Sequence, residues 1–223
     1  MYQNPYNRLK PKTRQPYTEV YLIRHCNPDY SKAKQIGDHD MPLSAAGLKQ
    51  RRYLSKHLID LKINRLYASR LLRSQQTAAI YAKKIGREII IDSRLDEIDW
   101  KDWHRIKYFN VSEKKREKKL KGYLRLDQEL SKMQTIARRA LADIYRSNRG
   151  QKVAIFSHGN FIKALLSGIL NTDVIGFLSL EIFQSSVSKL VIDRDGYIKI
   201  NYINDASHLP IEPKEDLFLT LVS

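Results

Sequence analysis

The sequence predicts a three-layer α/β/α fold with a mostly parallel central sheet, chiefly because two apolar strands each end on a histidine. The first apolar run, 20–23, leads into Arg24 and His25, and the second, 153–156, leads through a serine into His158. Ligands of open α/β sheets bind outside the carboxyl ends of parallel strands. The two histidines and the arginine are therefore expected to meet there, in a layout that suits a phosphate site with a histidine nucleophile.

The size and composition favour one globular domain. The chain has 223 residues, of which 42% are hydrophobic and 29% charged, values typical of a protein with a single well-formed core. No window approaches the roughly 18 to 20 apolar residues that would span a bilayer. A single cysteine, Cys26, excludes an internal disulfide, which favours a cytoplasmic location.

The net charge of +16 comes from 40 basic and 24 acidic residues. A field of this sign attracts polyanions, such as nucleic acid, anionic membrane surfaces or multiply phosphorylated small molecules. It is equally compatible with a surface that only promotes solubility. Nucleic-acid binding is therefore an alternative that charge alone does not decide.

The chain begins with a basic segment and then alternates strands with helices. Residues 1–17 hold four basic residues and three prolines without an acid, which predicts a flexible arm. A strand is predicted at 19–24. After a loop containing Asn27, Ser44 is placed to cap a helix whose leucines recur at helical spacing as far as Leu61.

The next segments repeat this alternation. A short strand is predicted at 63–68, then a helix over 69–84 that ends before Gly86, and then a strand at 88–91. The order strand, helix, strand, helix, strand indicates a parallel sheet that is covered by helices.

The pattern changes between 95 and 127, where a lysine-rich run follows two tryptophans. This range is predicted to be a basic helical insertion, or lid. An amphipathic helix follows, with its apolar residues on one face, namely Leu130, Met133, Ala137, Leu141 and Ile144.

The last third completes the sheet. A strand at 152–157 and a helix at 160–170 precede two final strands, around 187–193 and 197–203. Asp193-Arg194-Asp195-Gly196 between them suits a hairpin turn. The domain is expected to span 18–209, followed by a tail at 210–223.

Six short motifs occur in a fixed order. The first three are Arg24-His25-Cys26, the stretch 42–50 (Pro-Leu-Ser-Ala-Ala-Gly-Leu-Lys-Gln) and the stretch 69–78 (Ser-Arg-Leu-Leu-Arg-Ser-Gln-Gln-Thr-Ala). The others are 94–97 (Arg-Leu-Asp-Glu), Ser157-His158-Gly159 and 204–209 (Asn-Asp-Ala-Ser-His-Leu). Together they resemble the histidine phosphatase, or phosphoglycerate mutase-like, superfamily over about residues 18–209.

The resemblance implies a catalytic set and a reaction. His25 would attack a phosphomonoester and form phosphohistidine, Glu97 would donate the proton to the leaving group, and a protonated His158 would stabilise the phosphate. Phosphate binding would also involve Arg24, Arg73 and Asn27. Guanidinium forks suit phosphate oxygens, and His25 must be neutral, with its other nitrogen held by a carbonyl.

No pair of carboxylates at histidine spacing suggests a metal site, so no cofactor or metal is expected and activity is expected to be insensitive to EDTA. The expected partner is a phosphorylated small molecule, and the positive charge of the chain favours one that carries further anionic groups. Helix amides after Ser69 are also expected to favour an anion. A raised pKa is required of Glu97, for which burial beside Trp100 or Trp103 is the expected cause. Carboxylates that compete for this role are Asp96, Asp99 and Asp102.

Cys26 departs from the family, which has glycine after the nucleophile. This puts full activity in doubt, since glycine allows a closer backbone approach. Beside two arginines, the thiol is expected to have a lowered pKa and to be sensitive to oxidation. A cysteine-phosphatase motif is disfavoured because Lys32 stands where that motif has arginine.

Two further readings stay open. A catalytically weakened phosphatase scaffold could bind polyanions or partners, through 8–14 and 114–125. Mutase-type phosphoryl transfer is the nearest enzymatic alternative, although the sequence after Glu97 favours hydrolysis.

Four further histidines lie outside the expected site. His208 is expected to be a hydrogen-bonded structural histidine, and the remaining three are expected at the surface, namely His39, His57 and His104.

Overall fold

The fold comes from a computed structural model that describes residues 14–98 and 124–210. Several predicted features lie outside these ranges in whole or in part: most of the arm, most of the lid, the tail after residue 210, Asp99, Trp100, Asp102, Trp103 and His104. At the end of the arm, the backbone N–H of Arg194 donates to the carbonyl of Arg14.

Six strands form one sheet, in the order β3-β2-β4-β1-β5-β6. Their bounds are β1 Thr18–Arg24, β2 Arg65–Ala68, β3 Ile89–Ile91, β4 Lys152–Ser157, β5 Val187–Ile192 and β6 Ile198–Asp205. The pairs β1/β4, β2/β4 and β2/β3 are parallel, and β5 runs antiparallel to both of its neighbours. The prediction of a mostly parallel sheet is confirmed.

The described ranges contain six α-helices. Their bounds are α1 Ala33–Ile36, α2 Ala45–Ile59, α3 Leu72–Ile85, α4 Leu124–Ser147, α5 Gly159–Ile169 and α6 Val174–Ser179. The sequence did not predict α1 or α6. The hydroxyl of Ser44 accepts from the N–H of Gly47 and caps α2, as predicted. Gly86, at φ 62°, ends α3 in the left-handed conformation.

Helices cover both faces of the sheet because its central strands are apolar on both sides. In β1, Val20 and Leu22 face a core built with α4 and α5. Tyr21 and Ile23 face a second core, built with α2 and α3. Three layers result, as predicted. Within the two described ranges, no helix combines the length and apolarity needed to cross a membrane.

Two boundaries differ from the prediction and matter for the site. The helix expected from residue 69 begins at Leu72, because the hydroxyl of Ser69 accepts from the N–H of Leu71 and holds a turn before the helix. The long helix α4 begins at Leu124, inside the range predicted as an insertion. The hairpin between β5 and β6 is confirmed, with Gly196 at φ 89° in its turn.

Candidate active site

The sheet register brings the two strand-end histidines together. Arg24, the last residue of β1, lies opposite Ser157, the last residue of β4. His25 and His158 follow directly, and their ring centroids are 5.0 Å apart at an interplanar angle of 54°. Both rings are buried. The convergence expected at the carboxyl edge of the sheet is present.

His25 is held as a neutral ring with a defined tautomer. Its Nδ1 lies 2.7 Å from the carbonyl oxygen of Cys26, and since a carbonyl only accepts, Nδ1 carries the proton. Burial lowers the pKa of His25 well below its ordinary value, and the nearby His158, Arg24 and Arg73 lower it further. Nε2 is therefore unprotonated and available as a nucleophile.

His158 is neutral as well in the free protein, and the expectation that it is protonated against the phosphate stays a prediction. Burial lowers its pKa well below the ordinary value, and the charges of Arg73 and Arg24 add to that effect. Its Nε2 lies 2.7 Å from the hydroxyl of Ser69. Among the described residues its buried Nδ1 has no hydrogen-bond partner. If the hydroxyl donates to Nε2, Nδ1 carries the proton of the neutral ring and can donate a hydrogen bond to an incoming anion.

Two arginines supply positive charge beside the histidines. Nη1 of Arg24 donates to the carbonyl of Ile182 at 2.6 Å, whereas its buried Nε has no partner within the described part of the chain. Arg73, in α3, donates from Nη1 and Nη2 to the backbone carbonyl and the carboxylate of Asp38, at 2.7 and 3.1 Å. A phosphate that reaches Arg73 would compete with the carboxylate of Asp38, which is 66% exposed.

Glu97 lies beside the N-terminus of α5. One of its oxygens accepts from the N–H groups of Ile98 and Asn160, at 3.0 and 3.1 Å. Burial nevertheless raises the pKa of Glu97, against the charges of Arg24 and Arg73, which lower it. The expectation of a raised pKa is confirmed in direction.

Of the competing carboxylates, Asp96 is engaged elsewhere. It accepts from the backbone N–H of Arg70 at 2.8 Å and forms an ion pair of 2.6 Å with that residue's guanidinium. Both carboxylate oxygens of Asp96 are therefore occupied by Arg70. The geometry therefore favours Glu97 over Asp96.

Asn27 joins three parts of the structure. Its side-chain N–H donates to Gln184 at 2.8 Å, and its side-chain oxygen accepts from Ser44 at 2.6 Å. A Cβ at position 47 would lie only 2.1 Å from the backbone carbonyl oxygen of Asn27, so only glycine fits at that position of α2. These contacts connect the end of β1 to the start of α2. Phosphate binding by Asn27 stays a prediction.

Cys26 corrects another expectation. The thiol is buried among apolar side chains of the core between the sheet and helices α2 and α3. That burial raises its pKa to about 12, although contacts with Ser185 and Thr77 act in the opposite direction. It is therefore a protonated core residue rather than a reactive thiolate. Its side chain packs in this core, and the effect of Cys26 on activity stays a prediction.

The other described histidines also differ from one another. His39 is exposed and contacts Asp40, as expected. His57 is half-buried and stacks on His208 with ring centroids 5.2 Å apart, so its expected surface position is wrong. His208 lies 3.0 Å from the hydroxyl of Ser185, which confirms it as a hydrogen-bonded histidine.

Sequence reasoning missed several residues around this site. Ser69 contacts His158 across 89 positions of sequence, and its expected place at the start of a helix is wrong. Lys163, one turn into α5, lies within electrostatic reach of Glu97, Arg24 and Glu181. Its ammonium stands 5.9 Å from the ring of Phe177. In the sequence, only the placement of a lysine in an otherwise apolar helix singled out Lys163.

Comparison with known proteins gives a consistent result. The model of the histidine phosphatase superfamily (branch 1) matches residues 20–206. A probable phosphoglycerate mutase, GpmB, of Enterobacter sp. (strain 638) is 26% identical over 219 residues, covering 89% of this chain and 98% of the relative.

Solved structures share the fold. Phosphoserine phosphatase of Entamoeba histolytica, a mutant in complex with phosphoserine, has a TM-score of 0.68 at 18% identity, covering 86% of this chain and all of that one. YhfR of Bacillus stearothermophilus has a TM-score of 0.67 at 24% identity, covering 86% and 98%. Mycobacterial glucosyl-3-phosphoglycerate phosphatase has a TM-score of 0.64 at 19% identity, covering 86% and 100%.

Proposed function

Because the chain belongs to the histidine phosphatase superfamily, we propose that it hydrolyses a small phosphomonoester through a phosphohistidine intermediate on His25. The observation that carries this proposal is the state of His25. It is a buried, neutral imidazole whose Nδ1 proton is committed to the carbonyl of Cys26, and it stands beside a second histidine. Such a ring is prepared to attack from Nε2.

In the first step, Nε2 of His25 attacks the phosphorus atom, and the bond between phosphorus and the ester oxygen breaks. The leaving oxygen takes the proton of Glu97. In the second step, the Glu97 carboxylate takes a proton from water, whose oxygen attacks the phosphohistidine. The N–P bond breaks, His25 returns to its neutral form, and inorganic phosphate leaves.

Charge neutralisation supports both steps. Phosphoryl transfer depends mainly on positioning and on stabilising the equatorial oxygens. The buried Nε of Arg24 is a donor without a partner among the described residues, and so is Nδ1 of His158 in the tautomer in which Ser69 donates to Nε2; a bound phosphate would supply the acceptors. Both histidines are neutral in the free protein, so the two guanidinium groups would neutralise a bound phosphate dianion. The dianion would in turn raise the pKa of His158.

The substrate class is proposed from the rim of the site. Lys163 lies within electrostatic reach of Glu181 and also of Glu97, the proposed proton donor, which favours a place for its ammonium on the leaving-group side. A second anionic group on the leaving group would meet this ammonium, and the net charge of +16 favours approach of such a substrate. The phosphatase of Entamoeba histolytica was solved with phosphoserine and with 3-phosphoglyceric acid, both carboxylated phosphomonoesters. A carboxylated phosphomonoester is accordingly the proposed substrate, and a cytoplasmic location stays a prediction.

Mutase-type transfer is the second candidate, because a relative with 26% identity is named as a probable phosphoglycerate mutase. Both reactions share the first step and differ in what accepts the phosphoryl group. Release of inorganic phosphate and transfer to an added phosphoglycerate, measured on the same sample, distinguish hydrolysis from mutase activity. A folded protein that shows neither, and whose binding of polyanions weakens steeply with salt, would support the binding-scaffold alternative.

Substitution of Glu97 tests the assigned proton donor. We expect Glu97→Gln to reduce turnover of an alkyl phosphomonoester by about 10²- to 10⁴-fold, since general acid catalysis contributes that much. The burst of 4-nitrophenolate release, which reports the first step alone, should slow far less, because this leaving group departs without a proton, whereas its steady turnover still needs Glu97 as the base of the second step. The matched variant is Asp96→Asn, which should keep most of the activity on both substrates. Rapid-quench assays of the first step and steady-state assays, both with EDTA present, make the comparison.

The pH profile provides the same test in another form. His25 must be unprotonated, and its lowered pKa meets this condition well into the acid range. Glu97 must be protonated, so alkyl-ester turnover should decline as the pH rises through its raised pKa. Glu97→Gln should abolish this decline. An equal loss of the first-step rate on both substrates, or a larger loss in Asp96→Asn, would contradict the assignment.

A further inference from the structure

Residues 182–186, here the bracket segment, contact the catalytic strand end at several points. The carbonyl of Ile182 accepts from Nη1 of Arg24 at 2.6 Å, and the carbonyl of Ser186 accepts from the N–H of Arg24 at 3.2 Å. The side chain of Gln184 accepts from Asn27 at 2.8 Å. The bracket segment therefore holds residues on both sides of the nucleophile His25.

Ser185 makes the most direct contact with the nucleophile's backbone. Its N–H donates to the carbonyls of both Arg24 and His25, each at 3.2 Å. It does so from a left-handed conformation, φ 67°, which is uncommon for serine. The residue is fully buried. A strained residue at such a place persists only where its surroundings hold it.

Two residues of the closing motif, at the end of β6, supply that support. The side-chain oxygen of Asn204 accepts from the N–H of Phe183 at 2.6 Å. Nε2 of His208 lies 3.0 Å from the hydroxyl of Ser185. Asn204 is itself left-handed, at φ 60°, a conformation that asparagine tolerates better than most residues.

We propose that Asn204 and His208 are positioning residues for the reaction: they hold the bracket segment and thereby orient His25 and Arg24. This inference rests on the proposed phosphatase function. Neither residue is placed in contact with the substrate. Both act through Phe183 and Ser185, so their loss should misalign the nucleophile more than it unfolds the domain.

A matched pair of variants tests Asn204. Glycine accepts φ 60° but removes the acceptor for Phe183, whereas aspartate keeps an acceptor oxygen and tolerates the conformation. We expect Asn204→Gly to lower kcat by about ten- to a hundredfold, the cost of a displaced reacting group. Asn204→Asp should restore most of that loss. Both activities are measured on 4-nitrophenyl phosphate, with thermal unfolding recorded for each variant.

His208 offers a second pair if the first does not fold. His208→Ala removes the contact with Ser185, and His208→Gln offers an amide at about the position of Nε2. The alanine variant should lose kcat and the glutamine variant should recover part of it. If the two Asn204 variants, or the two His208 variants, differ from each other in unfolding temperature but not in kcat, Asn204 and His208 have only a structural role. That result would overturn the proposal.

A spectroscopic readout separates this proposal from the proposed function. In protein labelled with ¹⁵N-histidine, two-bond ¹H–¹⁵N correlation should show His25 as the Nδ1–H tautomer. Asn204→Gly and His208→Ala should shift His25 towards a mixture of tautomers, whereas Asn204→Asp should not. This measurement needs no substrate, so it tests the positioning role even if the wild-type protein shows no turnover. A lack of turnover would contradict the phosphatase function alone. An unchanged His25 tautomer in both truncating variants would overturn the positioning role.

Discussion

Replacing His25 with alanine should abolish turnover, with a loss on the order of 10⁴ to 10⁶, the range in which removal of a nucleophile or its base falls. The ring is the only group in the described site with an unprotonated nitrogen whose tautomer is set by a backbone carbonyl. Charge stabilisation by Arg24 and Arg73 alone would leave a small residual rate. The measurement is hydrolysis of 4-nitrophenyl phosphate and of a carboxylated phosphomonoester.

The matched control for His25→Ala is His39→Ala. His39 is an exposed histidine whose side chain contacts Asp40, so its loss should leave the rate close to that of the wild-type protein. Thermal unfolding shows whether each variant is folded. A folded His25→Ala variant that retains a tenth of the wild-type rate would exclude His25 as the nucleophile.

The second large effect is expected at Arg24. Arg24→Lys keeps a positive charge but loses the planar fork and its Nη1 contact with the carbonyl of Ile182. We expect kcat/KM to fall by about 10²- to 10³-fold, as for the loss of one preorganised donor to a developing charge. Because the charge is retained, this loss measures geometry rather than field strength.

Arg65→Lys is the control for Arg24→Lys. Arg65 is exposed at the start of β2, at the opposite edge of the sheet, and its substitution should leave kcat/KM unchanged. Phosphate inhibition supplies a second readout, since Arg24→Lys should weaken competitive inhibition by inorganic phosphate. If Arg24→Lys behaves like Arg65→Lys in both measurements, Arg24 does not bind the phosphate.

The fold was predictable because its evidence is local. The apolar runs that end on Arg24 and on Ser157 specify strands that are buried on both faces, and parallel pairing then places His25 and His158 at the same edge. The spacing of Leu54 and Leu58 specifies a helix with one buried face. These features depend on neighbours within a few positions.

The neutral His25 and the raised pKa of Glu97 were expected from the sequence, but two other features of the site's charge depend on burial and on distant partners. Sequence shows Cys26 beside Arg24, which suggests a lowered thiol pKa, but the thiol lies in the apolar core and its pKa is raised. Sequence also does not show that His158 is neutral in the free protein, where burial beside two arginines lowers its pKa. In both cases desolvation is the largest cause.

Long-range contacts were equally hidden. The pairing of Arg73 with Asp38 and the contact of Ser69 with His158 link elements far apart in the chain. The same is true of the bracket segment, whose contacts with Arg24 and Asn27 span more than 150 positions. The motif at 204–209 was visible, but only the structure shows that Asn204 and His208 reach the bracket segment.

Trapping the phosphoenzyme tests the central claim most directly. Wild-type protein mixed with excess substrate and quenched within one turnover should carry up to one phosphoryl group, labile in acid and stable in base, as phosphohistidine is. Peptide mapping at neutral or alkaline pH should place it on His25, and Glu97→Gln should accumulate it with 4-nitrophenyl phosphate. A phosphoryl group on another residue, or burst kinetics that persist in His25→Ala, would contradict nucleophilic catalysis by His25.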